Sequence, residues 1–324
     1  MKILLVHNYY GLSAPSGENK VFEAEKAMLE RRGHEVEIYT RNSDEIRDDG
    51  RVEHVESCRC RLLLCKKLRR IWGMMKGALC TVGNPFAARA VAKKCRALKP
   101  DVVHFHNTFP LISPLAVRAA SRYAPVVMTL HNYRMACAAG VPTRDGKVCS
   151  LCLDKKCVLD GIKHRCYRGS LLATLPLAIN IALYRKLLPK WVSRFIVLSD
   201  FQKRKMVEYG WPEEKIAVKG NFINRVEHVE RVEKKDQIVY VGRLSKEKGV
   251  ETLIKAFEMC NYDGGVIFLG LKNGDEVRRI MSESKIVVLP SEWWETFGLT
   301  VVESMQVGTP VVVSNLGALP EIAK

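Results

Sequence analysis

The chain has 324 residues, of which 47% are apolar and 27% are charged, and this balance excludes an intrinsically disordered chain. Because single cores stop growing at about 250–300 residues, the length predicts two domains. The net charge of +17 favours a polyanionic partner, such as nucleic acid, an anionic membrane or a phosphorylated substrate. No zinc-finger His pair, basic zipper or RNA-binding aromatic signature accompanies this charge, so we do not expect nucleic acid as the partner.

The sequence shows neither a signal peptide nor a membrane span. The apolar stretch at residues 3–6 is too short for the core of a signal peptide. No segment reaches the roughly 18 continuous apolar residues of a membrane span. We therefore expect a cytoplasmic protein, whose eleven cysteines are reduced thiols or metal ligands rather than disulfides.

The first part of the chain has the pattern of a parallel α/β sheet. A polar loop at 7–19 and a helix at about 20–32 follow the first predicted strand. The next strand then completes a β-loop-α-β unit, and later apolar runs repeat the pattern. The predicted strands of this sheet are 3–6, 35–39, 101–106, 126–131 and 195–199.

A second α/β set follows a charged segment at 225–235, which we interpret as a linker. Its predicted strands are 237–241, 266–269, 286–289 and 311–313. The sequence thus predicts an α/β fold of two Rossmann-like domains, at residues 1–222 and 236–324.

The strongest chemical signal follows the predicted strand at 286–289. Glu295-Thr-Phe-Gly-Leu opens a helix, whose free backbone amides and dipole form an anion site suited to a diphosphate. Glu303 lies two turns into this helix and can face the same crevice. Taken alone, Glu295 and Glu303 could be solvated helix residues.

Other candidates lie at the ends of predicted strands, where open α/β sheets bind ligands. Arg243 and Lys248 follow the strand at 237–241, and a guanidinium fork with a lysine suits a pyrophosphate. Both could instead be ordinary surface charges. In the first half, the candidates are Gly17 and Glu18 of the first loop and three histidines at strand ends. Gly17 could instead serve only to form a turn, and the histidines could make only structural hydrogen bonds. The histidines are His104, His106 and His131.

Together these motifs resemble family 4 glycosyltransferases, whose GT-B fold places two Rossmann-like domains face to face across a donor cleft. The resemblance implies that Arg243 and Lys248 neutralise the donor diphosphate and that Glu303 binds the ribose. It implies that Glu295 contacts the transferred sugar and that His131 hydrogen-bonds the sugar near the reacting carbon. Backbone groups complete the implied site: Gly17 allows close approach of the first loop, and amides at Phe297, Gly298 and Leu299 hold phosphate and sugar oxygens.

The implied activity is retaining transfer of a sugar from a nucleotide diphosphate donor, of UDP, GDP or ADP type, without a cofactor or a catalytic metal. The acceptor is a glycan or a lipid-linked glycan, in surface polysaccharide or glycolipid synthesis. The interval between Lys248 and Glu295 is about one β-α unit shorter than in the family, and the sequence stops at Lys324, so we expect an incomplete second domain. A homologue that binds a nucleotide sugar without transfer, or that requires a partner, is therefore the alternative.

Five cysteines crowd into an insert at about 137–166, and Cys149 and Cys152 have the two-residue spacing that suits zinc. The alternatives are reduced thiols or a structural zinc ion, with a disulfide less favoured. In none of these interpretations is the insert catalytic. The candidate zinc ligands are Cys137, Cys149, Cys152 and Cys166.

The segment 58–79 mixes Arg and Lys with large apolar residues. This pattern fits an amphipathic basic helix at an anionic membrane surface. It equally fits an ordinary helix whose charged side chains extend over a core face. The first interpretation predicts a peripheral protein on the inner face of the membrane.

Overall fold

The structure is a computed structural model, and it describes residues 1–9, 17–42, 73, 75–223, 232–260, 262–270, 272 and 274–324. The strands are β1 (Lys2–Tyr9), β2 (Glu35–Asn42), β3 (Val102–Asn107), β4 (Val126–Thr129), β5 (Thr143–Arg144), β6 (Lys147–Val148), β7 (Arg194–Val197), β8 (Ile216–Val218), β9 (Lys235–Val241), β10 (Gly265–Leu269), β11 (Ser284–Leu289) and β12 (Val311–Val313).

Helices alternate with these strands. They are α1 (Gly17–Arg31), α2 (75–82), α3 (Pro85–Leu98), α4 (Pro114–Ala120), α5 (Leu151–Asp154), α6 (Leu159–Lys163), α7 (Leu171–Tyr184), α8 (Leu188–Trp191), α9 (Asp200–Glu208), α10 (Val250–Glu258), α11 (Gly274–Glu283), α12 (Leu299–Gln306) and α13 (Leu319–Ile322).

Two parallel sheets confirm the predicted α/β fold class. The first has the order β2-β1-β3-β4-β7-β8, and the second has the order β10-β9-β11-β12. In β1, six consecutive residues from Ile3 to Asn8 are buried, because helices on both faces of a parallel sheet leave neither face to water. Strand β8 was not predicted, since its three residues are too few to show a period.

The strand orders place ligand sites at two positions. An open α/β sheet binds ligands where the strand order reverses, outside the carboxyl ends of the strands. In the first sheet this position lies between β1 and β3, and in the second it lies between β9 and β11. His104 and His106 lie in β3, and Gly242-Arg243 and Pro290-Ser291 follow β9 and β11.

The cores of the two sheets are separate, except that Trp293 and Trp294 of one loop pack with the first core. The second core gathers Val239, Val287, Val301 and Leu319. Trp293, which follows β11, instead packs with the buried residues of the first sheet. The loop after β11 therefore reaches across to the first sheet.

Two of the predicted segments lie largely outside the described residues. The linker at 225–235 lies mostly outside them, and β9 begins at its last residue, so the domain division at 1–222 and 236–324 stays a prediction. The basic segment 58–79 is described only at residue 73 and from 75 onward, where α2 begins. Between Lys248 and Glu295 the chain forms α10, β10, α11 and β11.

The cysteine-rich insert combines the antiparallel hairpin β5-β6 with α5 and α6. All cysteines in the described residues are free thiols. In the described part of the chain, no helix has both the length and the apolar character needed to cross a membrane.

Candidate active site

The turn before α12 has the geometry expected of an anion site. Gly298 caps the helix with a left-handed φ of 97°, a conformation that glycine adopts without steric cost. A Cβ at this position would lie 2.6 Å from Leu319 Cδ2. Within the described residues, the amides of Phe297, Gly298 and Leu299 donate no hydrogen bond. These three amides are therefore available to a bound anion.

The carboxylate of Glu295 is buried beside this turn. Its Oε1 accepts hydrogen bonds from Ser291 Oγ at 2.8 Å and from Trp293 Nε1 at 3.0 Å. Lys248 Nζ also donates to Oε1, at 2.5 Å. This ion pair neutralises the buried charge of Glu295. Lys248 and Glu295, which were predicted from separate motifs, are therefore direct partners. Ser291 and Trp293 were not predicted from the sequence.

The turn that carries Lys248 packs directly on the loop after β11. Gly249 has a φ of 70°, and a Cβ there would lie 1.8 Å from the backbone oxygen of Pro290. Glu292 N donates to Glu247 O at 2.9 Å. Only glycine permits this approach, which sets Lys248 next to Glu295.

Arg243 is the most exposed of the predicted donor-binding side chains. About 69% of its side chain is exposed, and its Nη2 lies 3.1 Å from Glu247 Oε1. An exposed pair of this kind contributes little to stability. The guanidinium is therefore free to leave Glu247 for a stronger anion.

Gly17 and Glu303 bring the two sheets together at the start of α1. A Cβ on Gly17 would lie 3.3 Å from Leu299 Cδ1. Lys20 Nζ lies 3.7 Å from Glu303 Oε1. Residues 10–16 of the first loop lie outside the described residues, but Gly17, which follows them, adjoins the first residue of α12.

Thr296 connects this turn to the first sheet. Its hydroxyl donates to the backbone oxygen of His131 at 3.0 Å, and its own backbone oxygen accepts from Ser199 Oγ at 3.0 Å. His131 and Glu295 thus flank Thr296 from opposite sides of the cleft.

His131 belongs to a buried cluster at the carboxyl end of the first sheet. Its Nε2 lies 3.1 Å from His106 Nδ1, and His104 Nε2 lies 2.8 Å from Thr129 Oγ1. Beneath them, Glu25 Oε1 lies 3.3 Å from His104 Nδ1, while Glu25 Oε2 lies 3.0 Å from Lys219 Nζ. His104 and His106 are buried parts of this wall, where His106 contacts His131 and His104 contacts Thr129 and Glu25.

Glu25 and Lys219 were not predicted from the sequence. Glu25 is buried on the same face of α1 as Val21 and Phe22. A carboxylate at an apolar helical position was the available signal, since buried charges need partners. Lys219 follows a strand that was itself missed, so no comparable signal existed for it.

Burial controls the protonation of this cluster. Burial, and to a smaller extent the charges of the nearby His7 and His104, lower the pKa of His131 to about 3. Burial also lowers the pKa of His7, to about 4. Burial raises the pKa of Glu25, but hydrogen bonding to His104 and the charges of His104 and Lys219 outweigh it, giving a pKa of about 2. At neutral pH, His131 is uncharged and Glu25 is ionised.

Two groups of residues have ligand types that suit a metal. In the described chain, the one group of three or more ligand atoms within 4.8 Å of one another belongs to Glu25, His104 and His106, where Lys219 already pairs with the carboxylate. The four candidate zinc cysteines line a common pocket with His164, but they do not form such a group. The structure therefore gives no support to the predicted zinc ion.

Comparison with known families identifies both halves. The profile described as "Glycosyl transferase 4-like domain" matches residues 16–221. The profile described as "Glycosyl transferases group 1" matches residues 258–324.

Curated relatives match parts of the chain. An uncharacterised glycosyltransferase of Methanocaldococcus jannaschii is 36% identical over 114 residues, and the match covers 27% of this chain and 29% of that protein. An uncharacterised 42.6 kDa protein of the Klebsiella pneumoniae cps region is 23% identical over 252 residues, and the match covers 70% of this chain and 60% of that protein. Each match thus spans less than two thirds of the relative.

Solved structures share the fold over nearly the whole chain. Sucrose-phosphate synthase from Thermosynechococcus elongatus has a TM-score of 0.60 at 15% identity, covering 98% of this chain and 82% of that one. Anabaena Alr3699/HepE in complex with UDP has a TM-score of 0.54 at 16% identity, covering 99% of this chain and 82% of that one. These similarities confirm the GT-B arrangement expected from the sequence.

Proposed function

Because this chain belongs to the glycosyl transferase 4-like family, we propose that it is a retaining glycosyltransferase acting on a nucleotide diphosphate sugar. The observation that carries the proposal is the convergence of free amides before α12 with the Lys248–Glu295 pair. A diphosphate needs both a cationic group and amide donors, and the loop after β11 offers them side by side.

In the proposed complex, each predicted residue has a defined task. Arg243 and Lys248 neutralise the diphosphate, and the amides of Phe297, Gly298 and Leu299 hold its oxygens. These fixed groups stabilise the charge that develops on the leaving diphosphate.

The transferred sugar and the ribose are bound by the two carboxylates next to the diphosphate site. Lys248 is drawn from Glu295 towards phosphate, which frees Glu295 to accept hydrogen bonds from sugar hydroxyls. Glu303 accepts from the ribose, and neutral His131 hydrogen-bonds the sugar near the reacting carbon. Gly17 leaves room for the donor and the acceptor, and the leaving phosphate helps to deprotonate the acceptor. The proposal requires no metal or other cofactor.

We further propose that the acceptor is a glycan or a lipid-linked glycan, used in surface polysaccharide or glycolipid synthesis. The relative from the Klebsiella cps region supports this role. A lipid-linked acceptor and the charge of +17 favour contact with the inner, anionic face of a membrane.

The donor site is tested by thermal unfolding with UDP, GDP, ADP and their common sugars. Because a ligand that binds only the folded state stabilises it, the preferred donor at about 100 times its Kd should raise the Tm by about 5 °C. Arg243→Ala should abolish this rise. Arg279→Ala is the matched control, since Arg279 is likewise exposed and paired with a glutamate four residues on, at 2.8 Å. No rise with any nucleotide in the folded protein would contradict the donor site.

Transfer is tested next, by NMR of the product formed with the selected donor. Retention predicts that the anomeric configuration of the donor is kept in the product, and Glu295→Ala should reduce the rate by at least about tenfold. The short interval between Lys248 and Glu295 favours a second candidate, a homologue that binds the donor without transfer. A Tm rise without product would establish that candidate instead.

A further inference from the structure

Helix α7 has two apolar faces, of which the protein covers one. Its sequence, LLATLPLAINIALY, contains no charged residue. At about 100° per residue, the buried residues fall within one arc of about 160°. They are Thr174, Leu177, Ala178, Asn180, Ile181 and Tyr184.

The opposite face of α7 is apolar as well, and it is exposed. An arc of about 120° carries five large apolar side chains with exposed fractions between 39 and 82%. These residues define the α7 face: Leu171, Leu172, Leu175, Ile179 and Leu183. A helix packed on one side of a soluble domain normally carries charged residues here, so this face calls for a covering partner.

The exposed apolar surface continues on the neighbouring segment. Asn180 Nδ2 donates to Thr81 O at 2.5 Å, which fixes α7 against the end of α2. Leu79 and Phe86, on either side of Thr81, are 69% and 73% exposed. Exposed apolar side chains therefore also lie on both sides of the α2 residue that α7 contacts.

The charge around α7 identifies the chemistry of that partner. Residues 161–199 contain seven Lys or Arg and no Asp or Glu. Arg165 and Arg168 precede the helix, Lys186 and Lys190 follow it, and all four are exposed. None of the four forms an ion pair with a carboxylate in the described part of the chain. An apolar helix with basic residues at both ends matches a membrane with anionic head groups.

We infer that the α7 face docks on an anionic lipid bilayer, with its leucines in the acyl boundary and the flanking basic residues at the head groups. A second copy of this chain is a poorer occupant, because two such faces would bring like charges together. This surface is centred on α7 and lies mostly outside the predicted basic segment 58–79.

Docking through α7 has a consequence for the proposed function. The buried side of α7 packs on Ala138 and Val158 of the cysteine-rich insert. Arg134, three residues after His131, lies 4.4 Å from the centre of the Phe109 ring in the adjoining loop. The insert and Phe109 thus connect the helix that docks on the membrane to the segment that follows His131.

The test is cosedimentation of the full chain with vesicles, in the absence of donor and acceptor. Vesicles of phosphatidylcholine alone are compared with vesicles containing one third phosphatidylglycerol. We expect binding to the anionic vesicles only, reduced at least about tenfold by Leu172→Gln with Leu175→Gln. Arg168→Glu with Lys186→Glu should likewise weaken it, and both variants should keep the wild-type Tm. The matched control is Met259→Gln with Ile254→Gln, at two exposed residues in α10 and directly after it, and this variant should bind as the wild type does.

The inference is overturned if the wild type does not bind anionic vesicles, or if the α7 variants bind equally well. It is also overturned if sedimentation in solution shows a dimer that Leu172→Gln with Leu175→Gln converts to a monomer, because the face would then join two copies. Since nucleotide sugars are absent, the donor-binding screen can fail or succeed independently of this result.

Discussion

At the scale of single residues, the buried histidines make stability depend on pH. His131 and His7 have folded-state pKa values of about 3 and about 4, below the ordinary value of about 6.5. Below this ordinary value, the unfolded chain takes up protons that the folded chain does not. We therefore expect the free energy of unfolding to fall between about pH 6.5 and pH 5, by about 2 kcal/mol at pH 5 for each histidine. Urea unfolding at about pH 7 and pH 5 measures this loss.

The variant His131→Gln isolates one of these contributions. It removes a titrating ring from the buried cluster, so the loss between the two pH values should shrink by about 2 kcal/mol. His164→Gln, at an exposed histidine of the insert, should leave the loss unchanged. Equal losses in the wild type and in His131→Gln would show that His131 is protonated in the folded state.

At the same scale, the sequence predicted residues better than it predicted their partners. Glu295, Gly298 and Lys248 each stand in a local motif whose chemistry is readable from spacing. The Lys248–Glu295 pair joins residues 47 positions apart, and the bond from His106 to His131 joins residues 25 apart. Such pairings depend on strand order, which the sequence pattern did not specify.

At the scale of elements, the turn before α10 depends on one glycine. Gly249→Ala would place a Cβ 1.8 Å from the Pro290 backbone oxygen at a left-handed φ. Because neither backbone can move without displacing the loop after β11, we expect a loss of at least about 3 kcal/mol in the free energy of unfolding. Donor-induced stabilisation should disappear with it, since Lys248 precedes this glycine.

A substitution in the second sheet controls for the added methyl group. Gly265 begins β10, and a Cβ there meets no atom within 4 Å. Gly265→Ala should change the free energy of unfolding by no more than about 0.5 kcal/mol. If Gly249→Ala and Gly265→Ala have the same free energy of unfolding, the close approach of Gly249 to Pro290 does not constrain the loop.

Elements were predictable where burial imposes a period, and less so where tertiary contacts define them. The long apolar runs gave β1, β9 and β11, because central parallel strands are apolar on both faces. The three-residue strand β8 depends on pairing with β7, which no local pattern reveals. Helix α7 shows the opposite case: its sequence reads as fully buried, and only the structure separates the covered face from the exposed one.

At the scale of the whole molecule, few contacts between the two sheets hold the cleft in its present form. Thr296 bonds to His131 and Ser199, and Glu321 pairs with Arg204 at 2.8 Å. Two tryptophans of the loop after β11, Trp293 and Trp294, lie at this junction, and Trp294 contacts two aromatic rings of the first domain. Its ring lies 5.4 Å from the Phe201 ring and 6.4 Å from the Tyr133 ring.

We therefore expect Trp294→Ala to uncouple the two proposed domains, 1–222 and 236–324. Loss of the partly buried ring should lower the free energy of unfolding by about 2–3 kcal/mol. The contacts that are lost join the two sheets and do not belong to either core. Calorimetry should then resolve two unfolding transitions where the wild type gives one, because each sheet has its own hydrophobic core. Trp294→Phe, which keeps an aromatic ring against Phe201, should retain a single transition. A single transition in both variants would mean that the two cores unfold together without Trp294, and that the domain division at 1–222 and 236–324 is wrong as a division of stability.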